Sequence, residues 1–283
     1  MGSPLKTICT ALVPLWIEDS VLIRHRDRSI LESPNMRSRT VLSVAVLVFA
    51  LGYSLTEAQP IDTPYAFPIT LGTPKWKSLT TLAEKLAACQ IPQDTLQRLS
   101  TEALVQTCLD YPMFLLYSAY TDSLGGMARV ISGFNGMQEL LRRKDAGSFL
   151  VKKYLEYDPI AHDENWSDDK MGEFSLKLDG LERLLGHDSI LTSLQADERR
   201  NLLSLAVDRF KKKTQDRNYG LFDAGTSAWL AGRVLIQEHF DEFVAALKSD
   251  DRLSDAMARC MLSDKEEMDE IVRHADNFLR MKP

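Results

Sequence analysis

Hydrophobic and polar positions follow a helical period along most of this chain. After Ser100, a preferred N-cap, Leu104, Val105, Cys108 and Leu109 form one apolar face, with Glu102 near the positive end of the helix dipole. Met113 to Tyr120 is apolar on nearly every side, which predicts a segment buried against several neighbours and the centre of the core. Met127, Val130, Ile131 and Phe134 mark another face. Met137, Leu140 and Leu141 continue it beyond Asn135-Gly136, as one kinked helix or as two. Upstream, Leu79, Leu82, Ala83 and Leu86 predict a helix from Lys77 to near Cys89, and a short one follows Pro92.

The second half reads the same way. Met171, Phe174, Leu178, Leu181 and Leu185 stripe a helix over 170–185; Leu202, Leu203, Ala206, Val207 and Phe210 stripe one over 195–216. One long helix is expected from Ala224 to Lys248, carrying Trp229, Ile236, Phe240, Phe243 and Leu247. The small residues Ala228, Ala231 and Gly232 would admit a close neighbour. A short helix over 253–261 follows, and Ser263 with Glu266 reads as a capping box for the last one. No segment alternates as a strand does. The expected fold class is all-α, an irregular multi-helix bundle or partial α-α superhelix without a fixed repeat period.

Punctuation suggests the organisation. Pro60, Pro64, Pro68 and Pro74 make 59–76 an extended strap, pinned by Tyr65, Phe67 and Trp76. The polar, acidic stretch 159–169 reads as a linker between an N-terminal helical lobe, 77–158, and a C-terminal one, 170–283. Residues 36–58 carry Arg37 and Arg39, an apolar run from Val41 to Leu51, and small Thr56 and Ala58 before Gln59. That is the order of a cleaved secretory signal, and the apolar run is shorter than the roughly 20 residues of a membrane span. Met36 is then the expected initiator and 1–35 an over-extended leader; the rival reading is a membrane anchor with a short tail. Cleavage near Ala58 would leave a soluble chain in a periplasm-like space, on the outer surface or secreted.

Composition and charge narrow the functions. At 283 residues and 45% hydrophobic the chain can fill a core, and its net charge of −6, with bases interleaved among acids, offers no phosphate-tracking surface for nucleic acid. The runs Arg142-Arg143-Lys144 and Lys211-Lys212-Lys213 read as solvated or dipole-complementing cations, with Asp145 capping the helix after the first run. His162, Asp163 and Glu164 are ligand types in an acidic loop without partners from elsewhere, and His239 with Glu242 shares a helical face only as a pair, so no metal is assigned. His187 is placed at a helix end, as a cap or as an imidazolium on the dipole. Asn165-Trp166-Ser167 fits a glycosylation sequon.

Beyond Ala58 the cysteines are Cys89, Cys108 and Cys260. Cys89 could pair with Cys108 in an oxidising compartment, or all three stay reduced and buried, the reading that the stripe position of Cys108 favours. No GxSxG, phosphate loop, GxGxxG, HExxH or CxxC is present. Carboxylates such as Glu139, Glu173 and Glu182 cannot be told apart from sequence, and no catalytic, cofactor-binding or metal residue is assigned.

The segments STEALVQTCLDYP, FNGMQELLRRKDA and YGLFDAGTSAWLAGRVL resemble a loose group of exported helical proteins from anaerobic bacteria. The resemblance covers about the middle half of the chain and implies an exported α-helical protein without cofactor or catalytic residues to carry over. The expected function is a non-enzymatic exported protein that binds a protein partner in the cell envelope or serves as a surface component. The alternative is a helical hydrolase acting on envelope polysaccharide or peptide through an acidic cleft.

Overall fold

Fourteen α-helices and one 3₁₀ helix form the architecture of the computed structural model, which describes residues 59–163, 165–262 and 264–281. Among these residues there is no strand, only an isolated parallel bridge between Ile61 and Leu99. The signal pattern at 36–58 and the leader lie outside the described residues.

The strap is stitched to the helices by its backbone. Ile61 N–H donates to Arg98 O at 2.8 Å, Ser100 N–H donates to Ile61 O at 2.9 Å, and Tyr65 N–H donates to Thr107 Oγ1 at 2.9 Å. Phe67 packs on Tyr111 and Phe134, whose rings stack 4.0 Å apart. The strap ends at α1 (Pro74–Ser78), where Pro74 takes the first helical position and Trp76 is buried. The expected helix from Lys77 to Cys89 is therefore interrupted: α2 (Leu82–Ala88) starts afresh from a Thr81–Glu84 capping box, and Leu82 is exposed.

Next come α3 (Gln93–Arg98), α4 (Thr101–Leu109), the 3₁₀ helix η1 (Phe114–Ala119), α5 (Ser123–Gly133), α6 (Asn135–Leu140) and α7 (Ala146–Glu156). The stripe around Phe134 belongs to two helices, broken where Phe134 adopts extended backbone. Arg143 does serve a helix C-terminus, that of α3, donating to Leu99 O at 2.6 Å and Leu96 O at 3.2 Å. Asp145 makes no capping bond; its carboxylate accepts instead from Thr101 Oγ1 at 3.0 Å.

The remaining helices are α8 (Asp168–Leu185), α9 (Asp188–Ser193), α10 (Ala196–Gln215), α11 (Leu221–Gln237), α12 (Asp241–Ser249), α13 (Asp251–Arg259) and α14 (Lys265–Arg280). The expected single helix over 224–248 is two. Its break falls at His239, whose φ of 53° is left-handed and whose neighbour Phe240 N–H donates back to Leu235 O at 3.0 Å, a Schellman turn. The cap of α14 is Asp264, which accepts from Glu266 N–H at 2.9 Å; Ser263 lies outside the described residues.

The centre of the core also differs from the sequence expectation. In η1 only Phe114 and Tyr117 are buried, because a 3₁₀ turn lying on the flank of α8 can hide one edge. The fully surrounded element is α11, buried along nearly its whole length from Ala224 to Leu235 between α8, α10 and α14. Its small residues permit that crowding; a Cβ at Gly225 would lie 2.5 Å from Leu262 O. Gly180 does the same for α8, where a Cβ would meet the Phe114 and Tyr117 rings at 2.8 and 2.9 Å. The described residues form one compact unit, and one hydrophobic core runs on both sides of the acidic stretch 159–169.

Candidate functional site

Three side chains on adjacent turns of α8, Asp179, Glu182 and Arg183, bring charge into this core, and all three are buried. Glu182 points inward. Its Oε1 accepts from Tyr154 Oη of α7 at 2.8 Å and from Ser227 Oγ of α11 at 2.6 Å, and its Oε2 accepts from Lys213 Nζ of α10 at 2.8 Å. Lys213 also donates to Asp223 O at 3.0 Å. Four helices thus meet at one carboxylate whose lone pairs are satisfied, the condition under which a buried ion pair is tolerated. Burial pushes Glu182 above the usual carboxylate range, with Lys213 and the Ser227 hydroxyl opposing. Burial beside this carboxylate raises Tyr154 strongly. The pair is sealed, with Lys213 1% and Glu182 0% exposed, so it holds the fold rather than meeting a ligand.

One turn outward, Asp179 and Arg183 form an i, i+4 ion pair beneath a cavity of about 260 Å³. The Tyr117 hydroxyl reaches Leu176 O at 2.6 Å and Asp179 Oδ2 at 3.0 Å, while the Arg183 guanidinium lies over the Tyr117 ring at 5.3 Å. Arg183 Nη1 donates to Asp179 O at 3.2 Å and Nη2 to Ser123 Oγ at 3.4 Å; Nε is buried with no partner. Cys260, held at a left-handed φ of 52° at the C-cap of α13, forms another wall. Burial drives its thiol up to about 12, with Arg183 pulling the other way, so the thiol stays protonated at neutral pH. The rim is apolar and open: Phe222 is 67% exposed and Met261 43%.

A second hollow of about 530 Å³ is polar, lined by His162, Asp163, Trp166, Asp168, Asp216 and Asn218 among others. His162 Nε2 lies 2.5 Å from Asp216 Oδ2, which fastens the acidic stretch to the end of α10. Asp163 is held below the carboxylate range by the Asn165 backbone N–H, with the Asn165 amide adding to it. Burial would raise Asp216, but the Asn218 backbone N–H and His162 outweigh it and its carboxyl sits low. Glu164 is outside the described residues.

The sequence-singled residues scatter. His239 lies off the helix end, so it does not share a helical face with Glu242, and the pair expected there dissolves. His187 is an N-cap: its Nδ1 accepts from Ser189 N–H at 3.2 Å, a neutral role that matches the lowering of its pKa by burial. The run 211–213 divides three ways, Lys211 to Asp276, Lys212 to Asp158 and Lys213 into the core. Reading that run as a solvated face fails for Lys213, because it sits three residues after Phe210 on the apolar stripe. The three cysteines are free and buried. Among the described residues no three of His, Cys, Asp and Glu are grouped to hold a metal ion, and no helix is long and apolar enough to cross a membrane.

Against known proteins, the chain matches no family model, no curated protein and no solved structure.

Proposed function

We propose that the chain is an exported, non-enzymatic binding protein that engages a protein partner in the cell envelope. The observation that carries this reading is the rim of the Arg183 cavity, where Phe222 and Met261 are 67% and 43% exposed. Large apolar side chains gathered around a cavity with a charged floor are the usual composition of a recognition site. Export rests on the pattern at 36–58.

Hydrolysis in the acidic hollow receives less support. That chemistry needs one carboxyl raised to act as an acid beside one left ionised. Asp163 and Asp216 are both lowered, and the raised Glu182 is sealed in the core.

The test is site-directed photo-crosslinking in cells expressing the full chain, with the probe at Phe222 or, as a control, at exposed Lys77 of α1. A discrete adduct in the envelope fraction from position 222 alone is expected. Equal adducts from both positions, or a cytosolic protein retaining residues 36–58, would refute the reading.

A further inference from the structure

We propose that His274 of α14 is a pH-sensitive latch for the helix pair α12–α13: with the ring neutral the pair is docked, and with the ring charged in mild acid the pair swings away and takes one wall of the Arg183 cavity with it. The proposal rests on the binding reading above and supplies its regulation.

The pair hangs between two turns. Among the described residues only two non-glycine positions have positive φ, His239 at 53° and Cys260 at 52°, and they bracket it. Each belongs to a turn of the same kind, Phe240 N–H donating to Leu235 O and Met261 N–H to Ala256 O, both at 3.0 Å. Helix-end positions of this sort are where a rigid segment pivots. Between the pivots one apolar seat holds the pair. Gly232 of α11 leaves room for it, since a Cβ there would lie 2.6 Å from Met257 Cε and 3.3 Å from the Phe243 ring. Trp229 Nε1 donates to Met257 O at 2.9 Å, and in α12 Phe243 alone is buried. The far end of the pair, Cys260 and Met261, borders the cavity.

Phe243 also meets His274. Their ring centroids are 5.6 Å apart, and the Phe240 ring lies 6.3 Å from the same imidazole. His274 is 6% exposed; its Nε2 lies 3.8 Å from Glu270 Oε1, whereas Nδ1 is buried with no partner. A neutral ring tolerates this arrangement, with its proton on Nε2 and a bare nitrogen among the phenylalanines. A second proton would put a charged N–H at Nδ1 without an acceptor, a larger cost that is relieved when α12 moves aside and water enters.

The surrounding charges do not cancel that cost. Burial lowers the His274 pKa and Arg273 lowers it further, against Glu270 on its own helix and Glu242 on α12. Asp250 and Arg252, at the start of α13, act on Glu267, nearer the N-terminus of α14. From α10, Arg200 reaches the Leu279 and Met281 carbonyls and Lys211 reaches Asp276; from α11, Arg233 turns to Asp188 and Asp223 to its own helix cap. Docking is therefore fully favoured above pH about 6.5, and its equilibrium falls by up to about ten-fold per pH unit below that, until the lowered folded pKa is passed.

Hydrogen exchange of the full chain from pH 8 to 5, corrected for the intrinsic rate, tests this. Peptides within 241–259 are expected to lose up to about ten-fold in protection per pH unit below about 6.5, while α11 keeps its own. Cys260 is expected to react with a dipyridyl disulfide at about pH 5.5 but not above pH 7, and Cys108 at neither. His274→Leu, and His274→Gln as a second uncharged variant, are expected to make both readouts independent of pH; His187→Asn is expected to leave them as they are.

Protection of 241–259 that stays flat with pH, or that falls in step with α11, overturns the proposal. So does a response that survives both His274 variants. Opening that leaves Cys260 unreactive overturns the link to the cavity. A pH response without a crosslinked partner at position 222 leaves the latch standing and refutes the binding reading; a crosslinked partner without the response does the reverse.

Discussion

Lys213 Nζ lies 2.8 Å from Glu182 Oε2, and neither side chain is more than 1% exposed. Removing one partner leaves an uncompensated charge in the core. Lys213→Met is therefore expected to cost about 3–5 kcal/mol, read as a fall in the urea midpoint by circular dichroism. Adding Glu182→Gln, which still accepts from Tyr154 and Ser227, should recover most of that loss. Two additive losses would show that the charges are not coupled.

Acid should weaken the fold in two separate pH windows. His187 caps α9 as a neutral base whose folded pKa is lowered, first by burial, with Asp188 raising it and Arg233 lowering it. Its contribution is full above the unfolded value of about 6.5 and is lost as pH falls through the lower folded value. Asp158 and Asp216 have folded pKa values below the usual carboxylate one: burial raises both, but donors from Lys212 and Ile160, and from Asn218 and His162, prevail. Their contribution is full above about 4 and is lost as pH falls further. His187→Asn, which can still cap, should narrow the upper window, leaving the share of buried His274, whose pKa burial also lowers, and should not move the lower one; urea midpoints from pH 8 to 3 test both.

His239 is exposed and left-handed, the position that closes a helix best when it is glycine. His239→Gly is expected to raise stability by about 1 kcal/mol. A loss would mean that the imidazole does more than end α11.

Gly225→Ala should act in the opposite sense. The new methyl would press on the Leu262 carbonyl, which a backbone atom cannot yield as a side chain would. A cost of about 2 kcal/mol is expected, with α14 losing hydrogen-exchange protection first.

The three cysteines of the described residues should resist thiol reagents in the native protein at pH 8. Cys89, Cys108 and Cys260 are buried and free, and burial raises each thiol. All three should react on unfolding. A mass lower by two hydrogens on linked Cys89 and Cys108 peptides would contradict this.

The apolar stripes made the helices legible, because period 3.6 survives whatever the neighbours are. Breaks without glycine or proline were not: nothing marks His239 as the end of α11, since a Schellman turn depends on bonds back to Leu235. The polar centre was half visible. Lys213 continues the stripe of Phe210 and Glu182 sits beside Leu178 and Leu185, so each is a charge on an apolar face. That they face each other across 31 residues is tertiary, as is the meeting of Arg183 with Tyr117 and Cys260. The run of lysines hid the first of these, since flanking Lys211 and Lys212 are indeed at the surface or near it.

Leucine against leucine would let α8, α10 and α11 slide past one another by a turn with little penalty. A shift of 5.4 Å, one helical pitch, would instead strand a carboxylate and an ammonium in hydrocarbon and free two hydroxyls. The junction at Glu182 thus selects a single axial alignment for three helices, and with it the position at which Arg183 meets the cavity one residue further on.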